Sequence, residues 1–210
     1  MSPSPAPSRD RGAYHHGALR EALLAAAEAE LEENGVESFS LRAVARRAGV
    51  SHAAPAHHFP TADALLTALA AISFARFDAA LRARAEAAGD DPAERLAAMT
   101  LAYVDYASRS PAMFDLQFGS SRPVKSDPAL CAAADDAYAT LREAVESALA
   151  ARGDGVDDAR RREAIATVWA SAHGLAHLFG RRAAPMFADA SPQAREAAFA
   201  RIARRIGGAL

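Results

Sequence analysis

Residues 40–59 read SLRAVARRAGVSHAAPAHHF, and the fold turns on them. Ser40 can cap a helix through its hydroxyl, after which Leu41, Val44 and Ala45 repeat at helical spacing. Gly49 supplies the permissive backbone that a helix C-terminus needs, and Ser51 can cap a second helix. Two helices joined through so tight a turn form a helix-turn-helix, the arrangement that lays its second helix in the DNA major groove. The same spacing also suits an ordinary helical hairpin inside an all-helical core.

Charge is concentrated in this stretch. Arg42, Arg46 and Arg47 lie between positions 40 and 60 with no acid among them, a local +3 in a chain whose net charge is −2. His52, His57 and His58 add positive charge when they meet phosphates. The acids in front of it, Glu28, Glu30, Glu32, Glu33 and Glu37, fall at the end of the preceding helix. A cluster of this size fits a phosphate-binding surface and equally fits a solvated helix face.

Outward from there the pattern stays helical. A first helix is expected over His16–Asn34, with Leu19, Leu23, Ala26, Ala27 and Leu31 on one stripe and Gly35 ending it. Thr61 caps a longer helix with Asp63 in its first turn and Leu65, Leu66, Leu69, Ile72, Phe74 and Phe77 along it. Asp91-Pro92, Asp127-Pro128 and Ser191-Pro192 each place a capping residue before a proline, the signature of a helix start. Glu94 stands at capping-box distance behind Asp91. Loops are expected over Gly119–Pro128, Gly153–Gly155 and Gly180–Ala190, and no strand-like alternation or internal repeat interrupts the series. The fold class is all-α.

Compartment and chemistry are bounded by what the composition holds. The single cysteine, Cys131, allows no internal disulfide and fits a reducing compartment. The longest charge-free apolar run, near Ala64–Ala75, is shorter than the roughly 20 residues that cross a bilayer. The opening MSPSPAPSRDRG lacks the apolar stretch of a signal peptide, so residues 1–14 read as a disordered tail and a cytoplasmic location without a membrane partner is expected. No phosphate-cradling glycine loop or G-x-S-x-G elbow is present, and Cys131 is flanked by alanines with no activating group. His173 and His177 have a zinc-compatible spacing, but neither a glutamate at the next position nor an obvious third ligand accompanies them. No enzyme, metal or cofactor is expected.

The last two helices are apolar for surface elements. Ile165, Val168, Trp169, Ala172, Leu175, Ala176 and Phe179 recur at three- and four-residue spacing, as do Phe199, Ile202 and Ile206. Paired stripes of this kind suit a four-helix bundle built across a two-fold axis, with Ile165, Ala172, Ala176, Phe179, Phe199, Ile202 and Ile206 at the interface. They would also serve a core within one chain.

Residues up to about 75 resemble the DNA-binding module of the TetR/AcrR family of transcriptional regulators. The match lies in an amphipathic first helix closed by Glu33-Asn34-Gly35, then SLRAVARRAGVS, then a short helix ending in His58-Phe59 and a helix beginning near Thr61. YHHGALREALL, GVSHAAP and the Trp169, His173 and Gly174 of VWASAHGLAHL further resemble the branch with a C-terminal WHG domain. The resemblance implies a DNA-binding domain over 15–77 and an effector-binding and dimerisation domain over 78–210. It implies a homodimer that binds operator DNA, usually represses, and responds to a small molecule.

Carried over residue by residue, Ser40, Arg42 and Ser51 match positions that touch phosphates. His52, Ala53 and His57 match the exposed face of the recognition helix, while Phe59 matches a packing residue. Arg46, Arg47 and His58 join the DNA-binding set through the charge cluster. The family commonly has a tyrosine where Ala56 stands and a lysine where Ala62 stands. Their absence weakens the phosphate-directed term that dominates affinity for DNA. Pro55, near the end of the recognition helix's first turn, removes an amide donor and crowds the Ser51 carbonyl. For the effector, an apolar cleft with a few polar groups points to Met99, Tyr103, Tyr106, Phe114, Phe118, Tyr138, Trp169 and His173, and to an apolar or aromatic ligand. The competing reading is a helical homodimer that acts through protein partners, its DNA module weakened.

With lysine absent from the candidate interface and histidine plentiful at His15, His16, His52, His57 and His58, operator binding should take up protons. Affinity is expected to rise as pH falls from about 7.5 to 6 at fixed salt. Fluorescence anisotropy with labelled operator checks this, and a flat profile refutes it.

Overall fold

Capping chemistry starts the helices where the sequence places it. In the computed structural model, which describes residues 11–153, 157–180 and 189–208, Ser40 Oγ accepts from the Ala43 amide at 3.2 Å and opens α2 (Leu41–Arg47). Thr61 Oγ1 accepts from Ala64 at 3.0 Å and opens α3 (Ala62–Ala87). Asp91 caps α4 (Pro92–Arg109), Asp127 caps α6 (Pro128–Ala150) and Ser191 caps α8 (Pro192–Gly208). Such caps contribute about 1 kcal/mol each. The remaining helices are α1 (Arg11–Asn34), α5 (Pro111–Phe118) and α7 (Asp158–Gly180). Every regular element among the described residues is helical, so the all-α expectation holds.

Several details depart from the sequence reading. Helix α1 begins at Arg11, ahead of the expected His16, so residues 11–14 of the expected tail are helical; residues 1–10 lie outside the described residues. The parts of the expected loops at 154–156 and 181–188 lie outside them too. Helix α5 was not expected, although Ser110-Pro111 carries the same start signature as Ser191-Pro192; the Ser110 side chain makes no cap bond there. Glu94 does not close a capping box, since its carboxylate takes Arg204 Nε at 2.9 and 3.1 Å and ties α4 to α8. By length and composition α3 qualifies as a bilayer-crossing helix, contrary to the shorter apolar run read from the sequence. Leu65, Leu66, Leu69, Phe77 and Leu81 of that helix are nevertheless packed inside the chain.

Two glycines set the geometry of the N-terminal helices. Gly35 and Gly49 have φ of 72° and 69°, the left-handed conformation that ends α1 and α2 without a Cβ penalty. These turns fold Leu23, Ala27 and Leu31 of α1 onto Val44 of α2, Phe59, and Leu65, Leu66 and Leu69 of α3. Met113, Leu116 and Leu130 from α5 and α6 join the same cluster, so later helices complete the core of the N-terminal module. A second cluster joins Phe77 and Leu81 of α3 to Met99, Tyr103, Phe114, Ala137, Ala172 and Ala176. A third unites Leu96, Val145, Leu149, Ile165 and Val168. Truncating a fully buried leucine such as Leu66 to alanine costs about 2–5 kcal/mol.

One polar strut spans the two halves. Arg122, in the loop between α5 and α6, donates from Nε to Asp63 at 2.8 Å and from Nη1 to the Val36 and Phe39 carbonyls at 2.6 and 3.4 Å. The nearby Val124 amide donates to Thr67 Oγ1 at 2.9 Å. One guanidinium thereby holds the α1–α2 loop against the start of α3. Arg122→Ala is expected to remove about 1–3 kcal/mol and lower the melting temperature by at least about 2 °C. Thermal denaturation checks this, together with faster amide exchange over residues 36–39.

Candidate DNA interface and internal cavity

The segment after Gly49 is shorter and tighter than a full helix. Residues Ala54–His57 form a single 3-10 turn, with Pro55 buried inside and its carbonyl accepting from the His58 and Phe59 amides at 3.0 and 2.8 Å. Ser51 does not cap it through its side chain. The Ala54 amide donates at 3.0 Å to the Ser51 carbonyl instead. Phe59 is buried, and the Arg20 guanidinium stands over its ring at 5.4 Å.

Ser40, Arg42, Arg46, Ser51, His52, Ala53 and His57 are all exposed, along the outer surface of α2 and the turn. The Ser40 hydroxyl is already engaged as a cap. Two expected contacts fare differently. Arg47 donates from Nε to Glu30 at 3.0 Å and from Nη2 to Glu33, so its charge is neutralised within the chain. Sequence distance concealed this, because the Gly35 turn brings the end of α1 back beside α2. His58 is half-buried and engaged within the chain. The free cationic surface therefore reduces to Arg42 and Arg46, flanked by His52 and His57. The side chains of His15 and His16 lie outside the described residues.

A cavity of about 330 Å³ lies beneath this module, walled by α3, α4, α5, α6 and α7. Met99, Tyr103, Phe118, Tyr138 and Trp169 line it, as expected of them. Tyr106, Phe114 and His173 do not. Phe114 is buried behind the wall against Tyr103 and Phe118, with ring centroids 5.8 and 4.9 Å away. Tyr106 turns its hydroxyl to Ser73, 2.8 Å from Oγ and 3.0 Å from the carbonyl. The sequence reading missed Phe74, Phe77 and Leu81 of α3 and Asp135 of α6. Phe74 and Phe77 were visible as an apolar stripe, but periodicity does not separate a cavity wall from a core. Asp135 stands one helical turn before Tyr138, a spacing that puts an acid and an aromatic on one face.

His173 supports the wall from outside. Its Nδ1 is 2.8 Å from the Tyr103 hydroxyl and its Nε2 is 3.0 Å from His177 Nε2. Burial, followed by the neighbouring imidazole, lowers the His173 pKa, while burial raises that of Tyr103. The described residues contain no cluster of three or more metal-ligating side chains.

The expected dimer stripe also shifts. Ile165 is buried in the third cluster and Ala172 and Ala176 in the second, so these three pack inside their own chain. Ile206 packs partly against the third cluster, and Phe199 and Ile202 are half-buried. The Phe179 side chain lies outside the described residues. Helix α7 is apolar on more than one face, and the strongest periodic stripe is the one its own core uses. The exposed face carries Ala166, Ala170, Gly174 and Leu178.

Residues 96–206 match the family described as "Tetracyclin repressor-like, C-terminal domain", and residues 23–69 match "Bacterial regulatory proteins, tetR family". The chain belongs to the TetR family. It is a transcriptional regulator of that family. A solved protein of unknown function from Rhodococcus sp. RHA1 is 35% identical, with 94% of this chain and 97% of that one covered at a TM-score of 0.77. A regulator described as TetR-family from Shewanella sp. PV-4 shares the fold at 19% identity and a TM-score of 0.62, covering 90% and 95%. So does RolR in complex with resorcinol, at 20% identity and 0.58, covering 93% and 95%. No curated protein matches the chain.

His173 of this TetR-family chain makes its stability depend on pH. His173 binds its proton less readily folded than unfolded, so its contribution is present above the unfolded imidazole range, near pH 6.5. That contribution is lost as pH falls below that range and through the lower folded pKa. Urea midpoints at pH 7.5 and 5.5 check the effect. The midpoint of the native chain should fall on acidification, and His173→Phe should fall less.

Proposed function

We propose that the chain is a ligand-responsive, sequence-specific repressor that works in the cytoplasm as a homodimer and performs no catalysis. The observation that carries this reading is α3, one unbroken helix whose start is packed into the helix-turn-helix core and whose later turns, at Phe74, Phe77 and Leu81, wall the cavity. A ligand filling the cavity presses on the element that orients the reading turn. Arg42, Arg46 and Ser51 meet phosphates, while His52, Ala53 and His57 face base edges. The domain assignments, 15–77 for DNA and 78–210 for effector and dimer, follow this division of labour, and the two meet within α3.

Pairing of two copies uses the outer face of α7 at Ala166, Ala170, Gly174 and Leu178, with α8 beside it. Leu178 is 55% exposed and the small residues let helices approach closely. Two copies related by a two-fold axis then read half-sites about 34–36 Å apart or a multiple of that. The effector is a small apolar or aromatic molecule, by the character of the cavity wall.

Selection of bound sites from a random DNA pool should return a partly palindromic sequence. Replacing both Arg42 and Arg46 by alanine should make the slope of log affinity against log salt about 2 units shallower, since each phosphate contact contributes about 0.9. A stable dimer that selects no sequence identifies instead a helical interaction protein, the reading favoured by the loss of Arg47 to Glu30 and Glu33.

A further inference from the structure

The cavity's chemistry narrows its ligand beyond "apolar", on the reading that this cavity is the effector site. Six aromatic residues, Phe74, Phe77, Tyr103, Phe118, Tyr138 and Trp169, line its wall. Asp135 is the single ionisable acid among the lining residues, and no lysine, arginine or histidine joins it. Asp135 is exposed and makes no hydrogen bond or ion pair among the described residues. Tyr138, on the next turn of α6, and Trp169 of α7 are 45% and 42% exposed, with ring centroids 6.2 Å apart. These three side chains share the open end of an otherwise apolar chamber.

An aromatic face carries the negative part of a quadrupole, and a carboxylate beside it adds a full negative charge. Both attract a cation and repel an anion. An anionic ligand entering this wall would lose water and find no positive partner. His173, the nearest imidazole behind the wall, is held toward its neutral form by burial and by His177.

We propose that the cavity takes an apolar or aromatic amine in its ammonium form, the hydrocarbon body against Phe74, Phe77 and Phe118 and the charged head between Asp135, Tyr138 and Trp169. The head stays partly hydrated at the mouth, so the charge is never stripped of water without replacement. Size suits the class, because 330 Å³ falls at the small end of ligand pockets.

Trp169 is the chain's only tryptophan, so its fluorescence reports occupancy directly. Phenylbutylamine, phenylbutanol and phenylvalerate present one hydrocarbon body with a cationic, neutral or anionic head. Titrated into the full-length chain at pH 7, and repeated by calorimetry, the amine should bind at least about fivefold tighter than the alcohol, with the acid weakest. Asp135→Asn should remove most of the amine's advantage over the alcohol, leaving only the share that the two rings supply, and leave the alcohol unchanged. Asp135 is exposed, and an unaltered melting temperature of the variant confirms that its fold is intact. Equal affinity for amine, alcohol and acid, or an amine preference undiminished by Asp135→Asn, overturns the cationic assignment and leaves the effector-site reading standing. Failure of all three probes to bind overturns both.

Discussion

Helix α3 belongs to two compartments at once, and the helices around two of the three cores are set against it. Its first turns supply Leu65, Leu66 and Leu69 to the core beneath the helix-turn-helix, and its later turns supply Phe77 and Leu81 to the core around the cavity. A helix is a stiff rod over this length, and close-packed cores transmit displacement instead of absorbing it. On the proposed ligand response, a change in the chamber is relieved by rotation or translation of this rod, which carries the reading turn with it. The Ser73 hydroxyl pins the rod midway, 2.8 Å from both the Tyr106 hydroxyl and Gln117 Oε1, so α4 and α5 fix its setting.

Arginine does two opposite things in this chain. Arg47, which looks like part of a basic surface, is spent on Glu30 and Glu33 and staples α2 to α1. Arg122, far along the sequence in the loop between α5 and α6, reaches back to Asp63, Val36 and Phe39. The first removes charge from the candidate DNA surface in return for rigidity. The second gives that surface a direct attachment to the loop that follows Phe118, a residue of the cavity wall. A guanidinium suits both tasks because its fixed fork of donors satisfies several acceptors in one plane.

Local chemistry was legible where it acts over a few residues. Ser40, Thr61, Asp91, Asp127 and Ser191 cap helices because a hydroxyl or carboxylate three or fewer residues away is all that the bond needs. Five of the eight residues expected at the ligand site do line the cavity, since aromatic and methionine side chains mark large apolar volumes. What sequence left hidden depends on how helices are rolled about their axes. Tyr106 and Phe114 sit on the same helices as lining residues but point to Ser73 and to neighbouring rings. Ile165, Ala172 and Ala176 lie on the stripe of α7 that its own core claims, because periodicity reveals an apolar face without saying what covers it. The pairing of Arg47 needed the Gly35 turn in three dimensions.

The contracted turn at Ala54–His57 limits how much text one copy of this protein can read. A full recognition helix offers several turns of side chains to the groove, whereas this turn offers one, with Pro55 facing inward and alanine at two of its four positions. Few base edges can be interrogated, and each well-read base pair distinguishes right from wrong by only about 1–3 kcal/mol. Among the millions of competing sites in a bacterial chromosome, so short a word recurs by chance many times. On the proposed pairing of two copies, address is encoded in grammar more than in vocabulary: the distance and orientation between two short words.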